Sequence, residues 1–116
     1  MGKGTQAGMK YHNKKVECDG IIFDSIKEKN YYCELKILRM AGEVIDFERQ
    51  VTFELQPKFK CAGKTIRAIK YVADFVVTYA DGSIAVIDTK GYKTKEYLLK
   101  KKMLLYRYPD INFKEI

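Results

Sequence analysis

The stretch YVADFVVTYADGSIAVIDTKG, residues 71–91, decides the fold. Two runs rich in β-branched, aromatic and aliphatic residues, about 66–79 and 83–90, are typical of β-strands. Asp81-Gly82 separates the runs and predicts the turn of a hairpin. Both runs are apolar on both strand faces, and this pattern predicts a sheet that is covered on both sides by helices.

The length of the hairpin loop decides where two acidic side chains point. A two-residue loop, residues 81–82, directs Asp88 away from Asp74. A three-residue loop, residues 80–82, with Gly82 in the left-handed conformation, places Asp74 opposite Asp88. Both carboxylates would then project from one face of the sheet, with Cβ atoms about 4.5–5.5 Å apart. The residues themselves allow either loop.

The three-residue loop has a chemical consequence. Two carboxylates so close repel each other and need a cation, and hard oxygen ligands without His or Cys favour Mg²⁺ or Mn²⁺ over zinc. Lys90 lies two residues beyond Asp88 on the same strand face, so its ammonium group can reach the same cavity edge. Such a site has the parts for phosphodiester hydrolysis. The structural alternative is that Asp88 pairs with Lys90 or with a neighbouring strand.

The remaining elements follow from local signals. Asp19-Gly20 predicts a small β-hairpin, and Ser25 and Glu28 form the capping-box pattern of a helix over about 24–41. Glu28 is therefore either a helix cap or part of a site. VIDFERQVTFEL and INFKEI read as strands, and Thr94 caps a second helix over about 95–107. The predicted order is hairpin, α, β, β, β, α, β, an α/β domain with a mixed sheet.

The positive charge is uneven along the chain. The whole chain has a net charge of +7, whereas residues 16–89 hold more acidic than basic residues. Residues 90–107 carry seven basic residues and one acid. At 100° per residue, Lys93, Lys100 and Arg107 stay within roughly 40° of one another, which predicts a cationic ridge beside Lys90. A polyanion such as nucleic acid suits this surface, and a plain solubilising helix face is the alternative.

Three segments together resemble the PD-(D/E)XK nucleases, the superfamily of restriction-endonuclease-like folds. They are Ser25-x-x-Glu28 on the first helix, Asp74 within YVADF, and the run 88–91, Asp-Thr-Lys-Gly. The likeness spans about residues 20–116 and is strongest to small phage- and prophage-encoded members. Ala73 stands where the family name has proline. The resemblance implies an αβββαβ core, with a mixed sheet flanked by helices, after an N-terminal β-hairpin.

The resemblance also implies the residues of the site. The catalytic residues would be Glu28, Asp74, Asp88 and Lys90. The metal, Mg²⁺ or Mn²⁺, would be held by Asp74, Asp88, the backbone carbonyl of Thr89, and Glu28 directly or through water. DNA binding would involve Gln50, within ERQVTF, together with Lys93, Lys100 and Arg107. The implied reaction is metal-dependent cleavage of DNA that leaves 5′-phosphate and 3′-hydroxyl ends.

The expected partner is double-stranded or branched DNA, for instance a Holliday junction, because a small domain more easily reads shape and backbone than base sequence. Cutting two strands calls for two sites, so we expect a symmetric homodimer. No small-molecule cofactor and no membrane partner are expected. The alternative is a non-catalytic DNA-binding or assembly module on the same fold, whose binding weakens steeply with salt.

Length and composition predict one domain over residues 11–116, preceded by a flexible basic arm, residues 1–10. The three widely spaced cysteines indicate reduced thiols rather than a disulfide framework. No apolar run approaches the roughly 18 residues of a membrane span, and the N-terminus lacks a secretory signal. We therefore expect a cytoplasmic protein, in the host cytoplasm if the chain is phage-encoded.

Overall fold

The computed structural model describes residues 15–89 and 91–116. The chain divides into two compact units, Met1–Glu43 and Val44–Ile116. The described ranges contain two helices and eight strands. The predicted arm, residues 1–10, lies outside the described residues. The single domain expected over residues 11–116 stays a prediction.

The first unit contains a hairpin and a helix. Strands β1, Val16–Cys18, and β2, Ile21–Phe23, pair antiparallel. Helix α1, Ile26–Met40, begins after the N-cap Ser25, whose hydroxyl accepts a hydrogen bond from the Glu28 amide at 3.1 Å. The predicted hairpin and the capped helix are thereby confirmed, because both depend on signals within a few residues of the chain.

The second unit is a mixed sheet with one helix. Its elements in chain order are β3, Val44–Gln56; β4, Phe59–Cys61; β5, Lys64–Ile66; β6, Ile69–Tyr79; β7, Ile84–Asp88; α2, Lys95–Arg107; and β8, Phe113–Glu115. The sheet order is β3-β6-β7-β8, with β7 and β8 parallel and the other neighbours antiparallel. The short β4–β5 hairpin is an addition to the predicted order. The mixed α/β architecture is therefore as predicted.

Helix α2 covers one face of this sheet. Thr94 is its N-cap and accepts a hydrogen bond from the Tyr97 amide at 3.0 Å, so the predicted bounds are confirmed. The buried core between helix and sheet consists of Leu55, Tyr71, Ala73, Val86, Tyr97 and Leu104. A helical cover on the opposite face stays a prediction. Neither described helix combines the length and the apolar character needed to cross a membrane.

The turn between β6 and β7 is the three-residue loop. The Tyr79 amide donates to the Ser83 carbonyl at 2.8 Å, and the Gly82 amide donates back to the Tyr79 carbonyl at 2.9 Å. Gly82 has a φ of 89°, the left-handed conformation that this loop requires. The strand register pairs Phe75 with Ile87. Asp74 and Asp88 are the next residues of the two strands beyond this last pair, as the three-residue loop predicts.

Candidate acidic site at the end of the central hairpin

The two aspartates that the turn brings together lie where β6 and β7 separate. Oδ2 of Asp74 accepts hydrogen bonds from the amide of Thr89, at 2.8 Å, and from the Thr89 hydroxyl, at 2.7 Å. Thr89 directly follows Asp88, so the Asp74 carboxylate reaches across the strand pair to the backbone at the end of β7. Asp88 itself is fully buried, and Asp74 is half-buried.

Both carboxylates face helix α2. Asp88 is aligned with Glu115 on the parallel strand β8, and Glu115 accepts a hydrogen bond from the hydroxyl of Tyr97 on α2. The charges of both Asp74 and Asp88 contribute to raising the pKa of Tyr97, after burial and its hydrogen bond to Glu115. Two acids thus converge on the helix side of the sheet.

A buried tyrosine contacts one of these acids. The hydroxyl of Tyr71, on β6, donates a hydrogen bond to Oδ2 of Asp88. Burial raises the pKa of Tyr71 most, and its hydrogen bond to Asp88 raises it further. The phenol therefore stays protonated at neutral pH and acts as a donor to the carboxylate.

The contact between Tyr71 and Asp88 requires a break in strand alternation. On a regular strand, Tyr71 and Val76 would face opposite sides, yet both pack against α2. Strand β3 shows the same break, because Phe53 packs in that cluster whereas Phe47 contacts Phe75 on the opposite face.

Gln50 lies at the break. Its φ is 53°, and it is the one non-glycine residue inside a described strand with a positive φ. The register on either side of it, Arg49 with Phe75 and Val51 with Ala73, places Gln50 opposite Asp74. Residues held in sparsely populated φ/ψ regions of this kind cluster at active sites. The predicted DNA-binding role of Gln50 stays a prediction, and its backbone conformation is a separate finding.

Two described lysines next to this site are engaged with an acid. Lys101 lies 3.2 Å from Oε2 of Glu115, and Lys93 lies 3.5 Å from its Oε1. The hydrogen bond from Tyr97 is the strongest cause that lowers the pKa of Glu115, and Lys101 adds to it. Glu115 is therefore a carboxylate whose negative charge is offset by two lysines.

The predicted cationic ridge needs one correction. Lys93 precedes the N-cap Thr94, so the helical angle of 100° per residue does not apply to it and its place on the helix face was wrong. Lys100 and Arg107 do belong to α2 and share a face. Lys100 forms an i,i+4 ion pair with Glu96 at 3.1 Å. The DNA-binding roles of all three remain predictions.

For two predicted catalytic residues, Lys90 and Glu28, a position beside the aspartates stays a prediction. Lys90 lies outside the described residues. Glu28 belongs to the first unit, where it is buried and its Oε1 accepts a hydrogen bond from the Asp24 amide at 3.4 Å. This local contact fits the capping alternative. The metal-binding role of Glu28, and that of the Thr89 carbonyl, stay predictions.

The donor set at the pair fits a hard divalent ion with a mostly hydrated shell. Within residues 15–89 and 91–116, no group of three or more His, Cys, Asp or Glu side chains could hold a metal. Mg²⁺ keeps several waters and is commonly bound by only one or two carboxylates. Asp74 and Asp88 would supply these two carboxylates, with no nitrogen or sulfur ligand to favour zinc.

Sequence reasoning missed Tyr71, Tyr97 and Glu115. Tyr71 and Tyr97 read as core aromatics, and Glu115 lies in a short terminal strand. The signal that could have found Glu115 is the strand–helix–strand order of residues 84–115, which favours a parallel strand beside the end of β7, as observed.

The chain belongs to the family described as "Protein of unknown function (DUF1064)", whose sequence model matches residues 8–116. No curated protein and no solved structure matches the chain.

Proposed function

We propose that the protein is a Mg²⁺- or Mn²⁺-dependent DNA endonuclease with a restriction-endonuclease-like core. The observation that supports the proposal is the three-residue turn, whose register makes Asp74 and Asp88 the residues that directly follow the last pair of β6 and β7. A buried carboxylate such as Asp88 is costly unless hydrogen bonds or a cation compensate it. The resemblance of the motif segments to PD-(D/E)XK nucleases supplies the reaction class.

Each described residue has a task in this proposal. Asp74 and Asp88 would hold the ion, and the amide and hydroxyl of Thr89 orient the Asp74 carboxylate. When bound, the ion supplies Lewis-acid stabilisation of the charge that develops on the phosphate. Lys90 follows Thr89 in the sequence, and its ammonium would offset charge on the same phosphate.

The substrate side of the proposal rests on charge and size. Lys100 and Arg107 share a face of α2, which packs on the sheet that carries both aspartates. Such a cationic face binds the phosphate backbone without reading bases. We therefore propose double-stranded or branched DNA, such as a four-way junction, as the substrate. A symmetric homodimer would place one site on each of two strands.

Cleavage assays test the proposal. Purified full chain is incubated with linear, nicked and four-way-junction DNA in Mg²⁺, Mn²⁺ or EDTA. We expect products with either metal and none with EDTA. Joining of these products by a DNA ligase checks for 5′-phosphate and 3′-hydroxyl ends. Loss of a metal ligand should cost more than the roughly 10–100-fold typical of a residue that only supports a ligand.

Three variants sharpen the assay. Asp88→Asn and Lys90→Ala should abolish cleavage, whereas Asp110→Asn, the same change at an exposed acid, should cleave like the wild type. Equal cleavage by Asp88→Asn and Asp110→Asn would contradict the proposed site. Salt-sensitive DNA binding with no product under any condition would instead support the non-catalytic module.

A further inference from the structure

The contact that connects the hydrophobic core to the acidic pair is the hydrogen bond from Tyr71 to Asp88. We propose that Tyr71 is a positioning residue for the metal site, which holds the Asp88 carboxylate in the orientation that binds a divalent ion. The inference rests on the proposed function, because it concerns the ion that this site would hold.

The position of the Tyr71 hydroxyl is fixed by packing. The ring is buried, with 4% of its surface exposed, and lies 6.1 Å from the ring of Phe113 and 6.4 Å from that of Tyr97. On the neighbouring strand, Phe53 is its register partner. A side chain enclosed in this way has little rotamer freedom left, so it can orient an acceptor at little further entropic cost.

Each aspartate of the pair has its own donor. The backbone amide of Thr89 orients Asp74, and the phenol of Tyr71 orients Asp88. Carboxylates that ligate metals are commonly hydrogen-bonded by outer residues, and loss of such a partner typically lowers metal affinity or activity by about 10–100-fold. Tyr71 has the chemistry of such a partner, a neutral donor that adds no competing charge.

The contact also coincides with a departure from regular strand geometry. Regular alternation would direct Tyr71 and Asp88 to opposite faces of the sheet, because Asp88 faces the same side as its opposite residue Asp74. Strand β6 therefore breaks its alternation between Tyr71 and Val76, beside Gln50 of β3, whose φ is 53°.

Mn²⁺ binding to the metal-free protein tests the inference, with calorimetry as a readout that does not depend on cleavage. Tyr71→Phe removes only the hydroxyl and should weaken Mn²⁺ binding by about 10–100-fold. The matched control is Tyr97→Phe, which removes a buried hydroxyl that donates to Glu115 instead. It should bind Mn²⁺ like the wild type, since it leaves the donors of both aspartates in place.

Cleavage provides a second readout. Tyr71→Phe should need a higher Mn²⁺ concentration for half-maximal cleavage, with a rate close to wild type once Mn²⁺ saturates. A purely structural role would lower the saturated rate and the unfolding midpoint without moving the Mn²⁺ requirement.

The outcomes distinguish a failure of the positioning role from a failure of the proposed function. If wild type binds Mn²⁺ and Tyr71→Phe binds it equally well, the positioning role is wrong while the proposed function stands. If Tyr71→Phe and Tyr97→Phe weaken binding equally, the effect is general and the positioning role is again wrong. If wild type binds no Mn²⁺ at all, the proposed metal site and the positioning role both fail.

Discussion

The main-chain amide of Thr89 donates a hydrogen bond to Oδ2 of Asp74 across the gap between two strands, at 2.8 Å. This bond continues the pairing of β6 and β7 with a side chain after the backbone ladder has ended at Phe75 and Ile87. A carboxylate thereby takes the place of a backbone carbonyl. The same group is one of the two acids that the proposed metal site needs.

Substitutions at Asp74 should therefore separate structure from chemistry. Asp74→Asn keeps an oxygen that accepts from Thr89, whereas Asp74→Ala removes it and leaves a buried amide without its acceptor. We expect the alanine variant to lose about 1–3 kcal/mol of unfolding free energy and the asparagine variant much less. Both should lose metal-dependent cleavage. Urea unfolding in EDTA measures the first effect, and equal losses in the two variants would contradict it.

The hairpin turn provides a second prediction. Gly82 has a φ of 89°, and a Cβ placed there would meet no atom within 4 Å, so only backbone strain penalises a side chain. Gly82→Ala should cost about 1–2 kcal/mol. Gly91→Ala is the matched control, because Gly91 has equal space and is not in the left-handed region. Thermal unfolding should show a lower midpoint for Gly82→Ala alone. A similar fall in both variants would argue against the left-handed turn.

A third prediction concerns the strand break at Gln50. Glycine adopts a positive φ without strain, so Gln50→Gly should leave stability unchanged or raise it, whereas Gln50→Val should lower it, because a β-branched residue tolerates a positive φ less well than glutamine. At Thr52, two residues further along β3, glycine should cost roughly 0.5–1 kcal/mol as in any regular strand. Chemical unfolding that shows a lower unfolding free energy for Thr52→Gly, and an unchanged or higher one for Gln50→Gly, would support the break. A matching loss at both positions would contradict it.

The pH dependence of stability follows from Glu115. Its folded pKa is lowered, chiefly by the hydrogen bond from Tyr97 and then by Lys101. The unfolded chain therefore binds more protons than the folded chain in the acid range. The stabilisation is complete above the ordinary carboxyl pKa of about 4.3 and is lost as the pH falls through the lowered folded value.

Glu115→Gln should accordingly reduce the unfolding free energy at pH 7 by on the order of 1 kcal/mol and flatten its decline below about pH 4.3. The pKa values of Asp19 and Asp81 are also lowered, and they contribute equally to the pH dependence of the unfolding free energy in the wild type and in Glu115→Gln. The difference between these two proteins therefore reports on Glu115. Urea unfolding at several pH values measures it. Parallel acid curves for the two proteins would contradict the assignment.

Most of the fold could be predicted because its signals are local. Ser25 and Thr94 mark helix starts through bonds within three residues, and Gly82 marks a turn through its own backbone. The β4–β5 hairpin was missed because its strands are three residues long and show no alternating burial. Its turn depends on positive φ values at Ala62 and Gly63, and of these two residues only the glycine signals a turn in the sequence.

The site could be predicted only in part. Asp81-Gly82 suits either loop length, so the sequence could not decide whether Asp74 and Asp88 meet. In the structure the side chain of Asp81 accepts from both the amide and the hydroxyl of Ser83, which stabilises the longer loop. The contact of Tyr71 with Asp88 could not be predicted at all. It departs from the alternation of side chains along a strand, and no residue type in the sequence signals the break that permits it.

A crystal structure of the full chain soaked in Mn²⁺, with anomalous diffraction to locate the metal, tests most directly whether Asp74 and Asp88 bind a divalent ion. We expect one strong anomalous peak between the carboxylates of Asp74 and Asp88, with oxygen atoms at about 2.0–2.3 Å, as hard divalent ions require. The same crystals of Asp88→Asn should lack the peak. Manganese bound elsewhere on the protein, with none between the two aspartates, would contradict the claim.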